Sequence, residues 1–439
     1  MFSITNIGRT LLAKIVAFLY VITSVIFAGF PFGAGEDPAA PKDFTPVIRF
    51  AVCSDIHLNG EEDQPEAARL KKLIDFMYGY CADQSYTGFD ALVCVGDVAT
   101  TGYEKEYALF NSIIAEKLKE ETQLMICTGN HEYIATRDYD ASESARLFEK
   151  MEGPLDNHYT LNGYHFILAS YDDNGKTFSG KLDWLEEQIS SAEKDSGSKP
   201  VFVFQHPGPF ATVYGSINWG DFDITKVLSK HPRVVDFSGH SHYPINDPRT
   251  IWQGGYTALG CGTLSYFETE LDAIAGNFPY VTENAAQFYI VEGDKDGNLR
   301  IKSYDLITDA FFDNEYYLTG LADKNFDYTY LKRKNRDSAP VWPAGTKAET
   351  YKNDKGETIL KFTGAEDKYV VESYKLSVTE NGIPFFSDNF SGKYMYLYEE
   401  NQYEVNLGTL TQGKKYSVQI VALNAYAETS SPFSYSFTA

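Results

Sequence analysis

The chain has 439 residues, 43% of them apolar, and a formal net charge of −23. That length exceeds one compact domain and suits two or three, and the apolar share excludes a disordered chain. The acidic balance excludes nucleic acid or an anionic membrane surface as a partner through bulk electrostatics, so an anionic substrate has to be attracted locally, for instance by bound cations.

Arg9 and Lys14 precede the run IVAFLYVITSVIFAGFPFGAG, and no acidic residue occurs before Glu36. A basic start, an apolar stretch and small residues have the form of a secretory signal peptide, cleaved in FGAG or DPAA. An uncleaved anchor is the alternative, because an uncharged span of about 21 residues can cross a bilayer. Gly29, Pro31 and Gly33 interrupt the run late and favour the signal. Residues 1–40 are set aside from the fold, and the rest is expected outside the cytoplasm, secreted or held by this segment.

From residue 47 strands and helices alternate. VIRFAVC (47–53) reads as a buried strand, and QPEAARLKKLIDFMYGYC (64–81) as a helix with Leu70, Leu73, Ile74 and Met77 on one face. DALVCVGD (90–97) is a second strand, YEKEYALFNSIIAEKLKE (103–120) a helix and QLMICTGN (123–130) a third strand. HYTLNGYHFILAS (158–170) reads as a hairpin turned at Asn162-Gly163. A helix follows at 181–195, then apolar strands at 200–206 and 233–240. Such alternation predicts an α/β core with helices over the sheet. Cys53, Cys81, Cys94, Cys127 and Cys261 are few and odd in number. They read as small core hydrophobes rather than a disulfide framework.

The core domain is predicted over 45–330. Near 331 the charged, Pro- and Gly-punctuated LKRKNRDSAPVWPAGT predicts a linker, 331–345. Beyond it, short alternating runs such as ETILKFT, YKLSVTE and YSVQIVALN, with a turn signal at Asn381-Gly382, predict one β-sandwich over 346–439.

The polar residues of the α/β region gather where strands end. The first strand is followed by Asp55 and His57, the second ends on Asp97, and the third leads to Asn130, His131 and Glu132. Later strands bring His206 in FQHPGP, then His240 and His242 in SGHSHYP. Residues two apart in extended backbone share a side, so His240 and His242 can face one centre. Ligands of open α/β sheets bind at the carboxyl ends of the strands. Imidazole, carboxylate and amide oxygens suit divalent or trivalent first-row metals, and there are enough of them for two ions. His158, His165 and His231 do not fit this pattern and read as ordinary core or surface residues.

The ordered set D-x-H (55–57), G-D (96–97), G-N-H-E (129–132), His206 and G-H-x-H (239–242) resembles the calcineurin-like metallophosphoesterase family, over roughly residues 47–300. The resemblance implies a β-sandwich flanked by helices. It further implies that Asp55, His57 and His242 bind one metal, that Asn130, His206 and His240 bind another, and that Asp97 bridges both. His131 would contact the phosphoryl oxygen or protonate the leaving group, with Glu132 beside it to orient it. The implied reaction is attack of a metal-bridged hydroxide on a phosphoester. The implied metals are Mn, Zn, Fe or a mixture. Where purple acid phosphatases of this family carry a tyrosine three residues after the bridging aspartate, this chain has Thr100, which argues against a coloured Fe(III) centre. The segment GDVATTGYEKEYALF leans toward phosphodiesterases. Loops 58–66, 207–222 and 243–285 are expected to select the substrate, and the aromatics of TIWQGGYTALGCGTLSYFE line either a pocket or a core.

LGTLTQGKKYSVQIVALNAYAETSSP (407–432) resembles a fibronectin type III domain, with Tyr416 at the tyrosine-corner position, Leu410 six residues upstream and Gln412 where that family usually has proline. It implies a spacer or a module touching a cell surface or glycan. The rival to an exported phosphohydrolase is a surface adhesion protein that keeps the phosphoesterase domain as a scaffold.

Overall fold

The computed structural model describes residues 36–136, 140–172, 175–271, 274–279, 281–397 and 399–439. Most of the expected signal or anchor, residues 1–35, lies outside the described residues. Among the described residues no helix is long and apolar enough to cross a membrane. The chain divides into a unit of residues 1–270 and 275–332 and a unit of residues 271–274 and 333–439.

In the first unit, β1 (Pro46–Cys53), β2 (Ala91–Val95) and β3 (Gln123–Cys127) run parallel. Helices α1 (Pro65–Ala82) and α2 (Glu104–Lys117) connect them, and α3 (Ala141–Glu152) follows. The hairpin β4 (Asn157–Leu161) and β5 (Tyr164–Leu168) leads through α4 (Leu182–Asp195) to β6 (Val201–Pro207). Short helices α5 (Ser216–Trp219) and α6 (Phe222–Leu228) precede β7 (Val234–Gly239). Then come β8 (Ile251–Gln253), β9 (Thr257–Gly260), the ribbon strands β10 (Thr269–Leu271) and β11 (Ile274–Asn277), and the meander β12 (Gln287–Asp294), β13 (Leu299–Asp305) and β14 (Ala310–Leu318). The run reading placed no strand between 240 and 346, where seven form among the described residues, from the three-residue β8 to the nine-residue β14.

Two six-stranded mixed sheets result, in the orders β14-β13-β12-β1-β2-β3 and β4-β5-β6-β7-β9-β8. Alternation along β1 explains how they stack. Phe50 and Val52 enter the core between the sheets, while Ala51 and Cys53 face the core with Leu70, Leu73, Ile74 and Met77 of α1. Phe50 meets Phe166 and Phe202 of the other sheet edge-on, with centroids 5.0 and 4.9 Å apart. The far face of the second sheet is covered by Leu185, Ile189 and Ala192 of α4. The layers are therefore helix, sheet, sheet, helix, a mixed α/β arrangement. The hairpin turns at Asn162 (φ 50°) and Gly163 (φ 75°), the left-handed pair a two-residue hairpin requires. All five cysteines are buried.

A helix, α7 (Tyr330–Arg336), occupies part of the expected linker. The second unit is all-β. β15 (Ala348–Lys352), β16 (Thr358–Thr363) and β19 (Gln402–Asn406) form one antiparallel sheet. β17 (Val371–Glu380), β18 (Ile383–Ser391), β20 (Lys415–Asn424) and β21 (Phe433–Thr438) form the other. Leu360 and Phe362 from the first sheet share a core with Tyr374, Leu376, Val418 and Ile420 from the second. Asn381 (φ 52°) and Gly382 (φ 85°) turn β17 into β18. The Tyr416 hydroxyl accepts from the Thr411 N–H at 3.1 Å and donates to Glu380 at 2.9 Å.

Candidate metal centre

The polar residues predicted at strand ends converge. Asp55 and His57 follow β1, Asp97 follows β2, and Asn130, His131 and Glu132 follow β3. His206 lies near the end of β6, and His240 and His242 follow β7. The cluster thus draws on both sheets at the carboxyl ends of parallel strands. Potential ligand atoms of Asp55, His57, Asp97 and His242 lie within 4.8 Å of one another, and so do those of Asp97, His206 and His240. Asp97 belongs to both groups.

Short distances knit the two groups. His242 Nε2 is 3.0 Å from Asp55 Oδ1 and 3.2 Å from His57 Nε2. His206 Nε2 lies 2.9 Å from Asp97 Oδ2 and 3.7 Å from Asp55 Oδ1, and the buried Asn130 Oδ1 has no hydrogen-bond partner. Buried lone pairs that face one another without donors are costly unless a cation lies among them. The donor set therefore fits two metal ions.

Protonation states agree with this. Burial opposes ionisation of Asp55, but His242 and His206 outweigh it and hold the carboxyl at about 2. Asp97 is likewise held far below the carboxylate range, burial being outweighed by His206 and by the other imidazoles. Burial, with His242 next, pushes His57 down to about 3, and burial with His206 pushes His240 down to about 4, leaving neutral rings with lone pairs. His206 and His242 are raised despite burial, because Asp97 faces the first and Asp55 the second. A cation between ring and carboxylate replaces that proton.

Local backbone aims these groups. His206 Nδ1 donates to Val95 O at 2.8 Å and His242 Nδ1 to Tyr266 O at 2.9 Å, which leaves each Nε2 to face the cluster. Asp55, His57, Asp97, His240 and His242 all have positive φ, between 49° and 70°. Such strain costs about 1–3 kcal/mol per residue and persists where surroundings enforce it. The glycines of the motifs serve close approach. A Cβ on Gly239 would overlap Ser54 Oγ and Asp55 Oδ2, and one on Gly129 would overlap Asp97 Oδ1.

His131 sits against the His57 ring, with centroids 4.5 Å apart, outside both ligand groups. Its amide donates to Asp97 Oδ1 at 2.8 Å, and its Nδ1 donates to Thr100 O at 2.7 Å. Glu132 requires a correction. The expectation was that it orients His131. Instead its buried carboxylate accepts from the amides of Asp97 (3.0 Å), Ala99 (2.9 Å) and Gly129 (2.6 Å). A side chain one position on from His131 points away from it and under the turns, so Thr100 O orients the imidazole instead. The Thr100 hydroxyl itself donates to His57 O.

Two aromatic neighbours come from the loops expected to select the substrate. Trp219 meets the His240 ring edge-on at 5.7 Å, and Tyr266 lies 4.1 Å from the His242 ring. Of the ambiguous aromatic loop, Trp252 and Tyr256 are core residues, whereas Tyr266 reaches the cluster. His158, His165 and His231 lie elsewhere, paired with Gln188, Asp195 and Glu193 respectively.

A comparison with curated proteins found no match. Among solved structures, a purple acid phosphatase from yellow lupin (Lupinus luteus) seeds is 13% identical with a TM-score of 0.45, the match covering 65% of this chain and 55% of that one. The chain thus spans about half that structure's length. A solved myokine structure is 14% identical with a TM-score of 0.16, covering 22% of this chain and 94% of that one. The family model for calcineurin-like phosphoesterases matches residues 48–244, from β1 through His242. Over residues 48–244 the chain is thus similar to the calcineurin-like phosphoesterases.

Proposed function

We propose that this protein hydrolyses phosphoesters with two metal ions, Asp55, His57 and His242 holding one, Asn130, His206 and His240 the other, and Asp97 shared. The observation that carries this reading is the pair of buried donor groups meeting on Asp97. Bound metal ions supply Lewis acidity, an acidified water and neutralisation of phosphoryl charge. The chain's own residues do the rest. Asp97 spends one oxygen on the ligand cluster and the other on the His131 amide, so the shared carboxylate also places the imidazole. With Nδ1 committed to Thr100 O, His131 has Nε2 free to meet the phosphoryl group and pass a proton to the departing oxygen.

The segment GDVATTGYEKEYALF favours diesters over monoesters. The basic and apolar N-terminal stretch supports export. The 3+4 strand arrangement and the Tyr416–Thr411 bond support a fibronectin type III-like second unit serving as a spacer or as a contact with a cell surface or glycan.

The test uses the full chain with bis(p-nitrophenyl) phosphate and p-nitrophenyl phosphate, with and without Mn²⁺. Diester hydrolysis that needs metal, exceeds monoester hydrolysis and drops more than about 100-fold in Asp97→Asn is expected, since even groups that only support ligands act on a scale of 10–100-fold. Bound metal per chain falls in the same variant. Hydrolysis of neither ester under any metal would leave a binding scaffold.

A further inference from the structure

We infer that the centre is walled by aromatic side chains that receive a planar aromatic substituent of the phosphodiester; this rests on the hydrolase reading above. Each donor group carries its own aromatic neighbour. Trp219, 40% exposed, stands edge-on to His240 at 5.7 Å with an 88° interplanar angle. Tyr266 lies over His242 at 4.1 Å and by His57 at 5.7 Å. Phe278, 60% exposed, prolongs that second wall, 6.2 Å from Tyr266.

Both walls are held by backbone. The loop after β6 closes on itself through Phe210 N–H to Asp221 O (2.9 Å) and Asp221 N–H to Gly208 O (2.8 Å), which presents Trp219. Tyr266 is fixed by the His242 bond to its carbonyl and by Leu264 N–H donating to Ser54 O and Asp55 O. Tryptophan and phenylalanine left this exposed beside a buried polar centre offer flat, polarisable faces to a ligand. A phosphorus atom placed between Asp97 and His131 sends its ester substituents outward along these walls. An aromatic ring, nucleobases included, stacks there without hydrogen-bond readout. A saturated ring of equal size lacks the face that stacking needs.

The experiment compares methyl, cyclohexyl and phenyl p-nitrophenyl phosphates, which share one leaving group, on the full metal-loaded chain. The phenyl-to-cyclohexyl ratio of kcat/KM is read in wild type, Trp219→Ala, Trp219→Phe and Phe278→Ala, so that intrinsic reactivity cancels between proteins. The ratio is expected to fall about tenfold in Trp219→Ala and Phe278→Ala, largely through KM, and to persist in Trp219→Phe. Quenching of tryptophan fluorescence by the monoethyl ester of phenylphosphonic acid, stronger than by the cyclohexyl analogue, gives a binding readout independent of turnover. An unchanged ratio in both alanine variants, or equal quenching by the two esters, overturns the inference while leaving the hydrolase intact. Absence of hydrolysis of all three esters, with selective quenching retained, sinks the hydrolase reading alone.

Discussion

Three backbone amides end on the carboxylate of Glu132, and through them one side chain joins the β2 turn to the β3 turn. Burial, with the Asp97 charge next, pushes this carboxyl up to about 8, while the amides of Ala99 and Gly129 pull it back down. Removing the acceptor leaves three buried N–H groups unpaired, at about 1–3 kcal/mol each. Glu132→Ala is therefore expected to lower Tm by at least about 6 °C and to lose hydrolysis, because Asp97 and Gly129 are set by the same bonds. Glu132→Gln keeps one acceptor oxygen and is expected to lose less on both counts. Thermal scans with paired assays check this, and an unshifted Tm in Glu132→Ala would show that the turns hold without it. The residue identities of the cluster were legible beforehand as chemistry, since few other roles need histidine, aspartate and asparagine at successive strand ends. The part played by Glu132 was not legible, because G-N-H-E reads the same whichever way its last side chain points.

At the scale of elements, α4 is tied to the turn before β7 by His231, which lies between Glu193 (2.8 Å) and Glu186 (3.0 Å). Lys230 also reaches Glu186 at 2.7 Å, and Arg233 faces Glu193 at 3.7 Å. The hydrogen bond that His231 donates to Glu193, ahead of the burial that opposes it, raises the pKa of His231. A raised folded-state value means that the native chain binds the proton more tightly. The clamp therefore contributes fully below the unfolded histidine value, about 6.5, and its contribution is lost as pH rises through the higher folded value. Tm followed from pH 6 to 9 should decline more steeply in wild type than in His231→Gln, and parallel curves would remove His231 from the clamp. The elements themselves were largely readable, because periodicity separates an α1-type face from a β1-type run. The strands after β7 were not, since edge and meander strands such as β8 and β13 mix polar with apolar residues and gain their order from the neighbour they pair with.

At the scale of the whole molecule, two sets of cores matter. The first unit is built around three clusters, between its sheets and under its helices, while the second has one of its own, from Leu360 to Ala422. A domain with its own core folds alone. Residues 333–439 produced separately are expected to unfold in a single cooperative transition by calorimetry, and a chain lacking such a transition would show that this core needs the rest of the protein. The first unit alone carries the candidate centre.

Sequence by itself determined the ligand chemistry, the α/β character of the first unit and the all-β character of the second, because these follow from residue type and from periods of two and 3.6 read over short windows. Tertiary structure decided which donors meet on Asp97, which way Glu132 turns, and that Trp219 and Tyr266 stand beside the histidines. Those facts depend on two sheets stacking with their strand ends aligned and on left-handed backbone at Asp55, His57, Asp97, His240 and His242, which only long-range packing can enforce.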